Sequence, residues 1–291
     1  MSLPFTIDAL GTRWWIEIFD DISDVKRAAT VNGCEFLLSE FEQRYSRFRP
    51  DSLISQLNLT GVLINPPTEF INLLTYGITL FDRTQGKFNV MIGEKLSAHG
   101  YDSTYSFVGK AFTTPLPSPH NSLTIRPEQI TLHTGQVDIG GFGKGYVIDL
   151  LAEYLQNQHQ LFYFLINGGG DMFATSENDQ PITIYLEHPT EPTTYIETTT
   201  IRNQGFAASS PHKRTWKTDG KVYSHIITES DNLLIADATF IKAPTARDAD
   251  AFATVALIMP PDQFEAIAST EQLGVATFTL VENTLYRDTN F

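Results

Sequence analysis

Residues 137–146 read Val-Asp-Ile-Gly-Gly-Phe-Gly-Lys-Gly-Tyr, with four glycines around one acid and one lysine. Apolar side chains follow at Val147, Leu150, Leu151, Tyr154 and Leu155. This helical spacing predicts that the glycine-rich turn opens a helix. Because a helix start exposes unpaired N–H groups and glycine lets a ligand approach the backbone closely, the turn is a candidate anion cradle. A turn made only for tight packing fits the same residues.

Length and composition describe a globular protein with a substantial core. The chain has 291 residues, of which 42% are hydrophobic and 12% aromatic, values that are ordinary for a folded chain. Its 20 basic and 34 acidic residues give a formal charge of −14. No basic tract interrupts this balance, so the sequence argues against a surface for nucleic acid or anionic membrane. The single Cys34 excludes an internal disulfide and any cysteine-based zinc site, and its apolar neighbours predict a buried thiol.

The N-terminal residues bear on location. No apolar stretch reaches the length of a transmembrane helix, and the first residues lack a charged region followed by an apolar one. We therefore expect no transmembrane segment and, if this N-terminus is native, a cytoplasmic protein. If a signal segment preceded Met1 in the natural chain, the expected location becomes periplasmic or membrane-anchored.

Helical and strand-like patterns are mixed along the chain without regular alternation. Helical patterns are expected at 24–48, at 68–85, from the glycine-rich turn to about 157, at 248–259 and at 261–269. Strand patterns are expected within 5–19, near 129–133, at 161–166, 182–187, 194–201, 221–228 and 233–241, and as a hairpin at 275–286. This mixture predicts an α+β fold. A loop rich in proline and threonine at 111–122 is a candidate boundary between two lobes.

Asp250 and Thr254 form a candidate metal site. They lie one helical turn apart in Ala249-Asp-Ala-Phe-Ala-Thr254 and share one face of the predicted helix. A carboxylate and a hydroxyl suit Mg²⁺, which prefers oxygen ligands and takes few of them from protein. The alternative is structural: Asp248 or Asp250 caps the helix, and the Thr254 hydroxyl bonds to its own backbone.

Three further patterns have both a functional and a structural interpretation. His225 belongs to the predicted strand 221–228, where a lone histidine is commonly structural. The turn Asn167-Gly-Gly-Gly-Asp171 follows a predicted buried strand, and such a turn can simply reverse the chain. Phe48 lies in a polar loop, where its ring could stack on a flat ligand or cover the edge of the core.

Taken in order, these motifs resemble those of the ApbE family of FAD:protein FMN transferases, over residues 8–280. The matching segments are Leu10-Gly-Thr12, Ser46-Arg-Phe-Arg-Pro-Asp-Ser-Leu-Ile-Ser-Gln-Leu-Asn58, Gly86-Lys-Phe-Asn-Val-Met-Ile-Gly93, Asp138-Ile-Gly-Gly-Phe-Gly-Lys-Gly-Tyr146, Asn167-Gly-Gly-Gly-Asp171, Tyr223-Ser-His-Ile-Ile227 and Ala249-Asp-Ala-Phe-Ala-Thr254. The segment Asp138–Tyr146 is the most specific of them. Each pattern is weak alone, but together and in this order they are a specific signal.

The resemblance implies both a fold and an activity. The implied fold is ApbE-like α+β, with mixed sheets, packed helices and two lobes around a flavin cleft, in one functional domain over residues 1–291. Members of the family bind Mg²⁺ and use FAD as a substrate. They transfer FMN to a threonine or serine hydroxyl of a target flavoprotein and release AMP. The implied partners are FAD and an acceptor flavoprotein with a Thr or Ser flavinylation site.

The resemblance also assigns roles to individual residues. Asp250 and Thr254 would hold the metal, with the backbone carbonyls of Gly141 and Ala253 completing its protein ligands. The candidate FAD contacts are Leu10, Phe48, Asp138, Lys144, Ile226 and an expected strand formed by Lys87, Phe88 and Asn89. His225 is the candidate for proton transfer.

The sequence departs from the family pattern in two of these motifs. Phe88-Asn-Val-Met91 lacks the carboxylate of the family's Phe-Asp-Pro-Thr, and Thr228-Glu229 replaces the Asp-Pro that usually follows His-Ile-Ile. The residues implied as metal ligands are intact. Two alternatives to the transferase therefore stay open, namely an FAD pyrophosphatase that gives FMN and AMP, and a catalytically weak flavin-binding homologue.

Overall fold

The computed structural model describes residues 4–176, 180–191, 193–227 and 234–291, which form two compact units. The first unit comprises Met1–Glu42, Gly141–Ser210 and Ile235–Phe291, and the second comprises Gln43–Gly140 and Pro211–Leu234. Each unit is thus assembled from segments that are distant in the sequence. The single functional domain over residues 1–291 stays a prediction.

The predicted boundary at 111–122 is wrong. The chain crosses between the units after residues 42, 140, 210 and 234, and the whole loop lies inside the second unit. Its end is ordered as a short helical segment, in which the Ser122 hydroxyl donates to the Ser118 carbonyl at 2.9 Å. Proline and threonine mark a loop here, and the loop connects elements of one unit.

Helices and strands occur in both units. The helices are α1 (Asp24–Tyr45), α2 (Leu53–Thr60), α3 (Thr68–Arg83), α4 (Gly93–Ala98), α5 (Pro119–Ser122), α6 (Gly143–His159), α7 (Ala246–Ile258) and α8 (Pro261–Thr270). The strands are β1 (Phe5–Ala9), β2 (Thr12–Ile18), β3 (Val62–Ile64), β4 (Leu123–Arg126), β5 (Gln129–Leu132), β6 (Phe164–Gly168), β7 (Asp171–Thr175), β8 (Ile182–Glu187), β9 (Tyr195–Ile201), β10 (Gln204–Ser209), β11 (Thr215–Thr218), β12 (Lys221–Ser224), β13 (Ala238–Ala243), β14 (Gly274–Thr279) and β15 (Thr284–Arg287). None of the described helices has the length and apolar character needed to cross a bilayer.

The first unit is built on an antiparallel sheet with strand order β1-β2-β6-β7-β10-β13-β14-β15. Strand β13 is buried along its whole length because both of its faces are covered. On one face, the Thr239 hydroxyl donates to the Ala253 carbonyl of α7 at 2.7 Å. On the other, Phe240 joins an apolar cluster with Ile184 and Ile201 of the β8–β9 ribbon. Helix α7 and the ribbon therefore lie on opposite sides of the sheet.

The second unit contains a three-stranded antiparallel sheet in the order β3-β5-β4 and a separate β11–β12 ribbon. Buried apolar side chains of α2, α3 and the sheet include Ile54, Leu57, Phe70, Leu73, Leu74, Leu80 and Ile130. In the ribbon, the Trp216 indole donates to the His99 carbonyl at 2.7 Å. The ribbon is thus tied to the segment that follows α4.

The predicted α+β class is confirmed, and α1, α3, α6, α7 and α8 occupy the predicted helical segments. The predicted burial of Cys34 is also confirmed, and this burial raises the pKa of its thiol to about 12. Helices α2, α4 and α5 and strands β3, β4, β7, β10 and β11 lie outside the predicted elements. Helix α2 is short, and it is bounded by the Ser52 hydroxyl, which accepts from the Ser55 N–H, and by Gly61 in the left-handed conformation.

The predicted strand at 161–166 is displaced along the chain. Strand β6 begins only at Phe164, because the Asp20 carboxylate accepts from the N–H groups of Phe162 and Tyr163, at 2.9 Å each. These bonds hold the first half of the apolar run in a loop. An apolar run alone cannot predict this, because the side chain that arrests the strand comes from a distant part of the sequence.

Candidate functional site

Three charged side chains of the first unit meet where α6 begins. The Lys144 ammonium is in close contact with the Asp171 carboxylate and lies 3.4 Å from both carboxylate oxygens of Asp250. Both acidic side chains are only 5% exposed, whereas the lysine side chain is 33% exposed. Burial alone would lower the pKa of Lys144, but the two carboxylates outweigh it and raise that pKa. By formal charge, one lysine and two aspartates carry one net negative charge.

Helices α6 and α7 cap each other's first turn. Asp250 of α7 accepts from the Gly145 N–H at 3.0 Å, and Asp149 of α6 accepts from the N–H groups of Ala246 and Arg247 at 2.8 and 3.0 Å. These N–H groups lack partners within their own helices, and the positive end of a helix dipole favours an anion. The exchange fixes the Asp250 carboxylate beside the glycine-rich turn.

Close packing requires a glycine in this first turn. A Cβ on Gly145 would lie 2.3 Å from the Ala246 carbonyl oxygen, so any larger residue would separate the two helices. Helix α7 also has an N-cap of its own, since the Thr245 hydroxyl accepts from the Asp248 N–H at 3.1 Å. The interpretation that Asp248 or Asp250 caps α7 is therefore wrong, and Asp250 caps α6 instead.

Asp149 makes stability depend on pH. Burial raises the pKa of its carboxyl to about 6, against the opposing effect of its two backbone hydrogen bonds. The folded state then retains a proton that the unfolded state releases near its ordinary value of 3.8, so this group's contribution to stability falls as pH rises from about 4 to about 6. Asp149→Asn keeps a hydrogen-bond acceptor. We expect its free energy of unfolding to rise by up to about 3 kcal/mol relative to that of the wild type across that window.

Urea unfolding of both proteins between pH 4 and 7 measures this effect. The difference between their free energies of unfolding isolates the one carboxyl from the titration of the rest of the chain. A difference that does not change with pH would mean that Asp149 is already ionised at pH 4 in the folded protein.

The residues implied as metal ligands lie in or beside this cluster. Asp250 and Thr254 are one turn apart on α7, and Gly141 lies two residues before α6. The Ala253 carbonyl accepts from the Thr239 hydroxyl, so it already has a partner beyond its own helix. Among the described residues, no three His, Cys, Asp or Glu side chains converge as a metal site. A metal here would rest on few protein oxygens, a set that suits Mg²⁺ when phosphates and water supply the rest.

In the second unit, Arg47 and Asp138 form a buried ion pair. Arg47 Nε lies 2.6 Å from Asp138 Oδ2, and the two side chains are 8% and 10% exposed. This Nε has no aligned hydrogen-bond acceptor among the described residues, so the contact is mainly electrostatic. The other oxygen, Asp138 Oδ1, accepts from the Gly140 N–H at 2.7 Å. The carboxylate predicted to contact FAD thus also has a structural role.

Phe48 belongs to an aromatic group in the second unit. Its ring stacks on Tyr105, with centroids 4.7 Å apart, and it meets the edge of Tyr101 at 5.3 Å. The Arg47 guanidinium carbon lies 4.3 Å from the centroid of the same ring. Tyr105 and Phe107 are 41% and 43% exposed, so the group presents flat rings to solvent. The contact of Phe48 with FAD stays a prediction.

The other predicted FAD contacts are spread over both units. Leu10, in the first unit, forms the β1–β2 turn with a positive φ of 53°. The segment Lys87–Asn89 of the second unit is irregular, so the strand expected there is wrong. The Asn89 amide oxygen accepts from the Met91 N–H, and its amide nitrogen donates to the Pro117 carbonyl. These two bonds hold the backbone in a loop around buried Phe88 and leave Lys87 exposed.

His225 does not lie in a strand. Strand β12 ends at Ser224, because the Ser224 hydroxyl accepts from the Ile226 N–H and turns the chain away from the ribbon. The half-buried His225 ring has Nδ1 3.4 Å from the Arg214 carbonyl oxygen. The last residue of the strand predicted at 221–228 and the first residue of the strand predicted at 233–241 lie outside the described residues. Strand β13 begins only at Ala238.

Comparison with known proteins identifies the family of this chain. The model of the ApbE family matches residues 10–279, most of the chain and every segment that carries a candidate site residue. The chain belongs to the ApbE family.

The ApbE-family relatives have a common name. The proteins called FAD:protein FMN transferase from Haemophilus influenzae and from Escherichia coli K12 are each 23% identical to this chain. The alignments cover 94% and 93% of the chain, and 85% and 82% of the relatives. The similarity therefore extends over nearly the whole chain.

Solved ApbE structures have the same fold. The flavin transferase ApbE from Vibrio cholerae superposes with a TM-score of 0.78 at 20% identity, and the ApbE protein from Thermotoga maritima with 0.86 at 16%. Each comparison covers 100% of this chain and 98% of the solved chain. At this identity the likeness establishes the fold alone.

Two residues of this ApbE-family chain stand out only in the structure. Asp171 closes the glycine-rich turn after β6 and contacts Lys144, and Arg47 precedes Phe48 and pairs with Asp138. Both lie inside motifs that mark the family, which is the available sequence signal. Their charged partners are 27 and 91 positions away in the sequence, so neither contact follows from local spacing.

Proposed function

We propose that this protein is an Mg²⁺-dependent flavin transferase. It would take FAD as a substrate, transfer FMN to a threonine or serine hydroxyl of an acceptor flavoprotein, and release AMP. Membership of the ApbE family and the name of its relatives support flavin transfer to protein. The observation that carries the proposal is the cluster at the start of α6, in which Lys144 meets the buried carboxylates of Asp171 and Asp250.

The donor set of this cluster fits Mg²⁺. Asp250 offers a buried carboxylate, and Thr254 offers a hydroxyl one turn further along α7. Mg²⁺ takes only a few oxygen ligands from a protein when a pyrophosphate supplies the others. The formal negative charge of the cluster also favours a cation. When bound, the ion would neutralise charge that develops on the pyrophosphate. We assign its binding to Asp250 and Thr254 of α7, together with the carbonyl of Gly141, which lies two residues before the start of α6.

The glycine-rich turn and the aromatic group of the second unit each have chemistry that suits FAD. Lys144 and the N–H groups at the start of α6 would bind phosphate oxygens, because a helix start and an ammonium both favour anions. Phe48 and its aromatic neighbours offer flat surfaces suited to a flavin ring. Arg47 orients the Asp138 carboxylate in the same unit.

A direct assay tests the proposed reaction. The protein is incubated with FAD and Mg²⁺, with and without a candidate acceptor domain, while AMP is measured by chromatography and acceptor mass by mass spectrometry. The proposal predicts one AMP released for each FMN added to the acceptor. AMP release that does not need the acceptor would support an FAD pyrophosphatase instead, and flavin binding with no AMP would support a weak homologue.

His225 is the proposed base for the acceptor hydroxyl. A positioned base typically contributes about 10²–10⁴-fold in rate, so we expect His225→Ala to lower single-turnover AMP release by at least about tenfold at saturating FAD. FAD affinity should be unchanged, which is the signature of a lost chemical step. His133→Ala, which removes an exposed histidine of the same unit, is the matched control. Wild-type turnover in His225→Ala would assign the proton to another group, and lost FAD affinity would make His225 a binding residue.

A further inference from the structure

The cluster at the start of α6 contains one cation and two anions, so Lys144 can compensate only one of the two carboxylates fully. The ammonium does not lie equally close to the two carboxylates. The ammonium is in close contact with Asp171 but stays 3.4 Å from each oxygen of Asp250. Asp250 instead receives the Gly145 N–H at 3.0 Å. Most of the lysine's attraction is therefore directed at Asp171.

Asp171 is held where it can do this. It is the first residue of β7 and pairs with Gly168 across the turn from β6. The two residues between them, Gly169 and Gly170, both have positive φ, and the Gly170 N–H donates to the Asn167 amide oxygen at 2.9 Å. Because Asp171 is paired within the β6–β7 hairpin, the position of its backbone, and so the point from which its carboxylate extends, is set by strand pairing.

We propose that Asp171 is a positioning residue for the metal ligand Asp250. By holding the Lys144 ammonium, it prevents the lysine from closing on Asp250 and keeps that carboxylate available to a divalent cation. The proposal rests on the metal site of the proposed function. It assigns a role to Asp171 that is distinct from ligation, because Asp171 would act through Lys144.

The physical argument is a comparison of two pairings. In Asp171→Asn, Asp250 is the remaining carboxylate of the cluster for the partly exposed Lys144 ammonium, and their 3.4 Å separation leaves room for a closer ion pair. An ion pair in a site of low dielectric is strong, so a cation that needs Asp250 would have to displace the ammonium first. Residues that orient metal ligands typically change metal affinity by about 10–100-fold when mutated.

Mn²⁺ is a suitable probe, because it accepts the same oxygen ligands as Mg²⁺ and its free concentration is read directly by electron paramagnetic resonance. The full-length protein is titrated with Mn²⁺ in the absence of FAD. We expect Asp171→Asn to raise the Kd for Mn²⁺ by at least about tenfold relative to wild type. Glu153→Gln, which removes an exposed carboxylate of α6, controls for the change in net charge and should bind as wild type does.

A second variant separates positioning from a merely structural role. In Asp171→Asn/Lys144→Met no ammonium competes for Asp250, so Mn²⁺ affinity should return to the wild-type value or exceed it. A double variant as weak as the single one, or a single variant with wild-type affinity, would overturn the proposal. If the single variant does not fold, a double variant that binds Mn²⁺ at least about tenfold more weakly than wild type would still overturn the proposal. A wild-type protein that binds no Mn²⁺ would instead contradict the metal site of the proposed function.

Discussion

Asp250→Asn is expected to lower metal-dependent release of AMP from FAD by at least about 10²-fold while the protein stays folded. The variant removes the only formal charge among the groups proposed to bind Mg²⁺. Losing one preorganised electrostatic group at a reacting centre typically costs about 10²–10³-fold in rate. The fold should survive, because Lys144 keeps its contact with Asp171 and the asparagine oxygen can still accept from the Gly145 N–H.

Two measurements check this expectation. AMP release is followed at increasing Mg²⁺ concentration, and thermal unfolding is recorded for wild type and variant. Asp262→Asn, which changes an acidic residue in the first turn of α8, is the matched control and should react at the wild-type rate. Unchanged Mg²⁺-dependent AMP release in Asp250→Asn would remove Asp250 from the metal site. A large drop in melting temperature would show that its cap on α6 is its main role.

Arg47→Met should lower the free energy of unfolding by about 3–5 kcal/mol, the usual effect of removing one partner of a buried ion pair. Without the guanidinium, the Asp138 carboxylate stays buried with the Gly140 N–H as a remaining donor. The methionine keeps much of the apolar contact with Phe48 and Tyr101. Arg47 also donates to the Tyr101 carbonyl, so the loss would report the uncompensated Asp138 charge together with this hydrogen bond, and not a cavity.

Fluorescence-monitored urea unfolding measures this change in stability. Arg47→Met/Asp138→Asn should recover most of it, because no buried charge is then left alone. Arg13→Met breaks an exposed pair with Asp8, and it should leave the unfolding midpoint nearly unchanged. Equal stability of Arg47→Met and wild type would mean that water solvates the Asp138 carboxylate in the folded protein.

The parts of the fold that follow from local chemistry could be predicted from the sequence. The glycine-rich turn before α6 and the shared face of Asp250 and Thr254 depend on residues within a few positions of one another. Helix α7 begins two residues earlier than the predicted start at 248, since Thr245 caps it. Boundaries of this kind depend on which side chain reaches which N–H group.

The contacts that build the site could not be predicted in this way. Lys144 meets Asp250 across 106 positions, and this contact exists only because α6 and α7 pack by their first turns. The prediction of a strand at His225 is wrong for a different reason. The hydroxyl of the preceding Ser224 accepts a hydrogen bond that ends the strand, and strand propensity does not describe such a bond. Long-range pairing and local side-chain bonds thus account for most of the differences.

The caps that α6 and α7 exchange also determine when the charged cluster can form during synthesis of the chain. Asp149 leaves the ribosome almost a hundred residues before the N–H groups of Ala246 and Arg247 that it will bind. The first unit needs its final segment, Ile235–Phe291, before its sheet is complete. Because domains begin to fold as their chain emerges and distant contacts form late, the charged cluster is assembled only near the end of synthesis. A ribosome stalled before α7 would therefore carry a chain that lacks Asp250 and Thr254, the side chains proposed to bind the metal.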